Sequence, residues 1–182
     1  MIQFGWRSAQ ILACALLVMQ GRPASSQPAS QFPAPPQQTS ATYDDWIVRC
    51  ETRAGPPRQK TCEMVQFTQV KGQNTVLTQI IIGHPQKGKP TPMVIQVPIG
   101  AWLPTGVKLS AGGKDEGLQA EFKVCAPSTC IARLEVKDDT IRKFRALTEQ
   151  GKLQFKDSNQ RDVALPVSFK GFSTAFDALG KE

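Results

Sequence analysis

Histidine is almost absent from this sequence, since His84 is the single imidazole in 182 residues. A catalytic Ser-His-Asp or Cys-His arrangement would have to use that one side chain. The G-x-S-x-G motif that presents a nucleophilic serine is missing as well, and one histidine without a C-x-x-C pair leaves too few ligands for a zinc site. Two carboxylates would suffice for a glycosidase, but the paired acids of this chain look like loop and cap residues. We therefore predict a protein that is not an enzyme and that holds no cofactor or metal.

A long apolar run is missing too. Ile11–Met19 has nine residues, far short of the roughly 20 that a spanning helix needs. Arg7 precedes this run, and small residues with a helix-breaking proline follow it at Gly21–Ser26. The layout predicts a secretory signal peptide over residues 1–26. The alternative is a lipoprotein acylated at Cys14, although little apolar chain precedes that cysteine. We expect an exported protein, either periplasmic or at the cell surface or secreted, with no transmembrane span in its mature form.

The five cysteines are divided between the leader and the rest of the chain. Removal of the leader leaves four, an even number in an oxidising compartment: Cys50, Cys62, Cys125 and Cys130. Three pairings are possible, and we favour the local one, Cys50–Cys62 with Cys125–Cys130. Each bridge would remove unfolded-state entropy equivalent to about 2–3 kcal/mol. Four residues separate Cys125 from Cys130, which favours a structural clasp across a hairpin over a redox-active dithiol.

The segment after the leader differs in composition from the rest of the chain. Residues 27–42 contain no charge, four prolines and four glutamines. Such a segment cannot bury enough apolar surface to order itself. We predict a disordered linker over residues 27–42 and one folded domain over residues 43–182.

From Tyr43 onward the pattern is typical of a mainly β domain. Short runs of period two with β-branched residues alternate with Gly- and Pro-containing turns. Nine runs predict strands: Trp46–Cys50, Thr61–Val70, Thr75–Ile82, Met93–Val97, Val107–Ser110, Leu118–Cys125, Cys130–Val136, Lys152–Asp157 and Val163–Phe169. Two short helices are predicted, one from Asp138 or Asp139 through Gln150 and one over Thr174–Leu179 with Ser173 as its cap. This series predicts a β-sandwich-like two-sheet domain with two disulfides.

Basic loops are the recurring chemical theme of the sequence. The formal charge is +7, and loss of Arg7 and Arg22 with the leader leaves 20 basic against 15 acidic residues, or +5. Loop residues that we predict to contact an anion or a partner are Arg53, Arg58, Lys60, Lys87 and Lys89. Further basic residues on a predicted helix face, Arg142, Lys143 and Arg145, would join them if the fold brings them close. The alternative is a solvated face that only maintains solubility. Aromatic residues do not alternate with the basic ones, which argues against nucleic acid.

The order of several short motifs resembles the invasion-associated locus B family of alphaproteobacteria. The motifs are Asp45–Cys50, Thr61–Met64, Val97–Gly100, Leu103–Val107, Phe122–Cys125, Cys130–Ala132, Pro166–Phe172 and Ala175–Leu179. The resemblance spans about Asp44 to Leu179. The resemblance implies an exported protein without a known catalytic site. The family is named for a role in bacterial entry into host cells, so the resemblance also implies a link to virulence.

We expect an exported interaction protein whose basic loops contact a protein or an anionic component of the envelope or host surface. The alternative is a periplasmic housekeeping module that binds a lipid or another small ligand between its sheets. Val76–Ile82 and the Trp102 loop would line such a pocket. Trp46 is expected in the core, and Phe172 and Phe176 are expected to seal the sheet. The sequence leaves the oligomeric state and the partner open.

Overall fold

A single antiparallel β-sheet forms most of the computed structural model, which describes residues 36–70, 72, 75–112, 116–148 and 150–182. The predicted signal peptide and residues 27–35 of the predicted linker lie outside these described residues. The strands are β1 (Gln37–Tyr43), β2 (Trp46–Arg53), β3 (Gln59–Gln69), β4 (Val76–Gly83), β5 (Thr91–Pro98), β6 (Val107–Ser110), β7 (Leu118–Cys125), β8 (Thr129–Val136), β9 (Gln150–Lys156) and β10 (Asp162–Ser168). The α-helices are α1 (Asp138–Ala146) and α2 (Phe172–Leu179), and Leu103–Thr105 forms a short 3-10 helix.

The expected mainly β class is confirmed, but the described strands form one ten-stranded sheet and not a two-sheet sandwich. The strand order is β1-β2-β3-β4-β5-β8-β7-β6-β9-β10. The sheet curls, so that Ser168 at the end of β10 meets Trp46 of β2 and Gln66 of β3 through side-chain hydrogen bonds. Alternating apolar residues face inward in a sandwich and in a curled sheet alike. The sequence pattern therefore could not separate the two architectures.

The prediction of a disordered linker is wrong for residues 37–42. These residues lie in β1, whose seven residues pair antiparallel with β2. The strand buries almost nothing, since six of its seven side chains are exposed. The strand is ordered by its backbone hydrogen bonds to β2 and not by burial of apolar side chains. Amino-acid composition alone could not reveal these hydrogen bonds.

The inward face of the sheet packs against both helices. Trp46, Val48 and Cys50 of β2 alternate inward and are buried, as period-two packing requires. Trp46 meets Phe172 of α2 edge-on, with ring centroids 5.1 Å apart, a favourable aromatic geometry. Trp46 is thus a core residue and Phe172 seals the sheet, as expected.

The helix boundaries differ from their predictions. α1 ends at Ala146 because Leu147 is extended, and β9 begins at Gln150, which the sequence had assigned to the helix. The first helical turn of α2 is preceded by Gly171, which takes the N-cap position with φ 81°, so Ser173 is not the cap. A left-handed conformation favours glycine over serine.

The predicted disulfide pairing is confirmed. Cys50 pairs with Cys62 and Cys125 pairs with Cys130. In each case the two cysteines lie directly opposite each other on adjacent strands. The bridges therefore clasp the β2–β3 and β7–β8 hairpins.

Candidate binding surface

The two predicted basic loops project from the same end of the sheet. Arg53 of β2 lies opposite Gln59 of β3, so the β2–β3 connection lies at this end. Glu63 lies opposite Gly83, so the β4–β5 loop begins beside the same hairpin. β8 ends next to the start of β5, and α1 follows directly. We call this region the basic end and define it by Arg53, Arg58, Lys60, Lys87, Lys89, Arg142 and Arg145.

A first cleft at the basic end lies between β3 and the β4–β5 loop. Lys60, His84 and Glu182 are among its lining residues. Lys60 Nζ forms an ion pair with a Glu182 carboxylate oxygen. The β2–β3 hairpin and the β4–β5 loop, which are predicted contact elements, are therefore neighbours in space.

A second cleft lies on the other side of the same loop. Lys87 of the loop lines it together with Arg142 and Arg145 of α1. The structure therefore brings two of the three predicted helix-face cations beside Lys87. Lys143, the third, lines a different cleft together with Ala111, Gly112 and Glu116.

Acidic side chains neutralise part of the basic end. Arg53 Nε donates a hydrogen bond to Glu51 Oε1 at 2.7 Å, and this bond with the Glu51 charge raises the pKa of Arg53. Arg142 pairs with Asp139. Together with the Lys60–Glu182 pair, these contacts reduce the positive charge that is available to a ligand.

Arg145 is held in a composite contact that sequence reasoning missed. Its Nη2 lies 2.7 Å from Asp177 Oδ1, and its guanidinium carbon lies 5.8 Å from the centroid of the Phe176 ring. The three residues join α1 to α2. The helical spacing of Phe172 and Phe176 was visible in the sequence. That α1 contacts α2 at these residues was not.

Arg58, Lys87 and Lys89 have no acidic partner within the described residues. All three are exposed, and within the described part of the chain none of them forms an ion pair. Arg58 lies on the β2–β3 connection, which the Cys50–Cys62 bridge clasps, and the two lysines lie on the β4–β5 loop. The basic end thus presents three exposed cations on two adjacent loops, none of them paired with an acid of the described segments.

The structure places the residues that were predicted to line a ligand pocket in different surroundings. Ile80 and Ile82 of β4 are buried in the filled core. Trp102 lies at the β5–β6 connection, where its backbone N–H donates to the Lys156 carbonyl oxygen at 2.7 Å. The cleft beside β4 is lined by Val76 and its neighbours without Trp102.

His84 lines the same cleft as Cys62 and Glu182. His84 is exposed in the β4–β5 loop. One group of metal-ligating residue types occurs within the residues that the structure describes, namely Cys50, Cys62 and Glu182. Both of its sulfur atoms belong to a disulfide, so they are not thiolate ligands.

Comparison with known proteins identifies the family. The model of the invasion associated locus B (IalB) protein family matches residues 46–180. The chain belongs to the IalB family. A solved structure titled invasion associated protein b from Bartonella henselae is similar in fold, with a TM-score of 0.67 and 23% sequence identity. The match covers 78% of this chain and 94% of that one. A search of the curated proteins finds no match.

The IalB family segment contains every element of the basic end. It begins at Trp46, the first residue of β2, and ends just after α2, so it includes both basic loops and both disulfides. β1 lies before it. No helix among the described residues has both the length and the apolar character to cross a membrane.

Proposed function

We propose that this IalB-family protein is an exported, non-catalytic interaction protein that contacts an anionic envelope or host-surface component through its basic end. The observation that carries the proposal is the position of Arg58, Lys87 and Lys89 on two adjacent loops, each exposed and without an acidic partner among the described residues. Cationic groups at one end of a domain attract anionic surfaces and orient the domain on them.

Three further observations support the proposal. The two disulfides fit an oxidising compartment outside the cytosol. All four cysteines of the described domain are paired, which removes them as nucleophiles. The family is named for invasion, which is compatible with a contact at a cell surface.

Charge reversal tests the basic end. The triple variant Arg58→Glu, Lys87→Glu and Lys89→Glu should bind vesicles that contain an anionic phospholipid at least about 100-fold more weakly, because each cation near such a surface contributes about 1 kcal/mol. Binding of the parent protein should also fall as the salt concentration rises. Vesicle co-sedimentation over a salt series measures both effects.

A matched control carries the same charge change away from the loops. Lys108, Arg133 and Lys152 lie on strands β6, β8 and β9, and their reversal to Glu changes the net charge equally. If both triple variants lose the same affinity, net charge and not the basic end determines binding. If neither loses affinity, the basic end is not the contact surface.

A further inference from the structure

β1 forms an open edge of the sheet. All seven of its residues pair with β2 on one side, and no strand of the described residues pairs with its other side. The Tyr43 end is covered, because Gly171 lies against the Tyr43 carbonyl oxygen. The backbone N–H and C=O groups along the rest of this edge can accept another strand.

The β1 edge lacks the usual protection against strand pairing. Natural edge strands carry charges, prolines or bulges, or are very short. β1 has seven residues, Gln-Gln-Thr-Ser-Ala-Thr-Tyr, with no charge and no proline, and its register with β2 is continuous. β10, the other edge, contains Asp162 and Pro166, and its Ser168 is already bound by Gln66.

We propose that β1 pairs antiparallel with β1 of a second copy of this chain, so that the two sheets become continuous across a two-fold axis. Because β10 is protected, head-to-tail pairing of β1 with β10 of another copy is disfavoured, which leaves the self-complementary pairing of β1 with itself. Such an isologous contact closes as a dimer. Opposite residues of two antiparallel strands share one face of a sheet, so the axis passes through a residue and not between two residues. Thr39 and Ser40 lie nearest the middle of the uncovered part of β1, and the axis therefore passes through one of them.

Electrostatics permit this pairing. β1 itself contributes no charge. The nearest charged side chain beside its midpoint is that of Arg49, which lies opposite Ser40 on β2. The two copies of Arg49 would be about three strand spacings apart, or about 14 Å, which exceeds the Debye length of about 8 Å at physiological salt.

The expected association is weak and reversible. A contact of one seven-residue strand is small beside the roughly 1,200–2,000 Å² of a standard protein interface. Sedimentation velocity over the micromolar to millimolar range should therefore show a monomer that becomes a dimer as concentration rises. Hydrogen exchange should slow in the β1 amides over the same range.

Lysine and glutamate at one position test the geometry. Ser40→Lys and Ser40→Glu should each abolish the dimer, because like charges then meet across the axis. An equimolar mixture of the two variants should restore it. Gln154→Lys, on the interior strand β9, adds the same charge away from the edge and should dimerise as the parent does.

Two results would overturn the proposal. The first is a parent protein that stays monomeric up to the highest concentration, with no added protection of β1. The second is a dimer that the Ser40 variants leave intact, because its interface then lies elsewhere. The basic end plays no part in this pairing, so failure of the vesicle experiment would leave it standing.

Discussion

At the scale of single residues, one buried glutamine joins the edge strand β10 to β3 across the curled sheet. Gln66 is 5% exposed. Its Nε2 donates to the Ser168 carbonyl oxygen at 2.5 Å, and the Ser168 backbone N–H donates to its Oε1 at 3.1 Å. Trp46 Nε1 donates to the same carbonyl at 3.0 Å. Side chains thus satisfy backbone groups that a further strand would otherwise pair.

We expect Gln66→Leu to lower the free energy of unfolding by about 2–3 kcal/mol. The variant loses both hydrogen bonds and leaves the Ser168 N–H without an acceptor, which costs about 1–3 kcal/mol for a buried group. Urea unfolding measures the change. Thr68→Val is the control, because Thr68 makes only a 3.5 Å contact to Pro166 and should change stability by less than about 0.5 kcal/mol. Equal stability of the two variants would contradict the bridging role of Gln66.

At the scale of elements, a glycine determines how α2 docks on the sheet. Gly171 precedes α2 with φ 81°. A Cβ added there would lie 2.1 Å from the Tyr43 carbonyl oxygen and 2.7 Å from its carbonyl carbon. The start of α2 and the end of β1 can approach this closely only without a side chain at position 171.

Gly171→Ala should therefore destabilise the protein by about 3 kcal/mol or more, from left-handed strain together with a backbone clash. Gly100→Ala is a matched control. Gly100 has a similar φ of 88°, but a Cβ there would meet nothing within 4 Å, so only the strain of about 1 kcal/mol is expected. Thermal or urea unfolding of both variants separates the clash from the strain, and equal losses would show that the close approach is unimportant.

The elements themselves were largely predictable, and the exceptions have physical causes. Strands with an apolar face, such as β2 and β3, follow from their alternation. β1 could not be predicted because it has no apolar face and is ordered by its pairing with β2. α1 was predicted too long because Gln150 and Gly151 suit a helix end locally, whereas Gly151 is buried against Ser110 in the sheet.

At the scale of the whole molecule, the candidate surface was predictable in composition but not in arrangement. The sequence identified every basic residue of the two loops, but it could not show that Glu51 and Glu182 neutralise Arg53 and Lys60. The contact between β10 and β3 joins residues 102 positions apart. The periodicity of a sequence does not reveal contacts between residues so far apart. For the same reason, the pattern could not distinguish a curled single sheet from a sandwich.

The fold is held by two disulfides and by non-covalent contacts that close the curled sheet. Reduction of the disulfides shows how much each kind of link contributes to stability. Each bridge joins residues that already pair across neighbouring strands, whereas closure of the sheet depends on Ser168 and on the packing of Trp46 against Phe172. We therefore expect the reduced protein, with its thiols blocked, to unfold in one cooperative transition.

Its free energy of unfolding should fall by about 5 kcal/mol, which is about 2–3 kcal/mol for each bridge. Urea unfolding followed by near-ultraviolet circular dichroism measures this, and replacement of one cysteine pair by alanine should give about half of the loss. A broad, non-cooperative transition would show that the bridges maintain the closed arrangement. A loss below about 1 kcal/mol would mean that the fold does not need an oxidising compartment, which would weaken the argument for export from the cysteines.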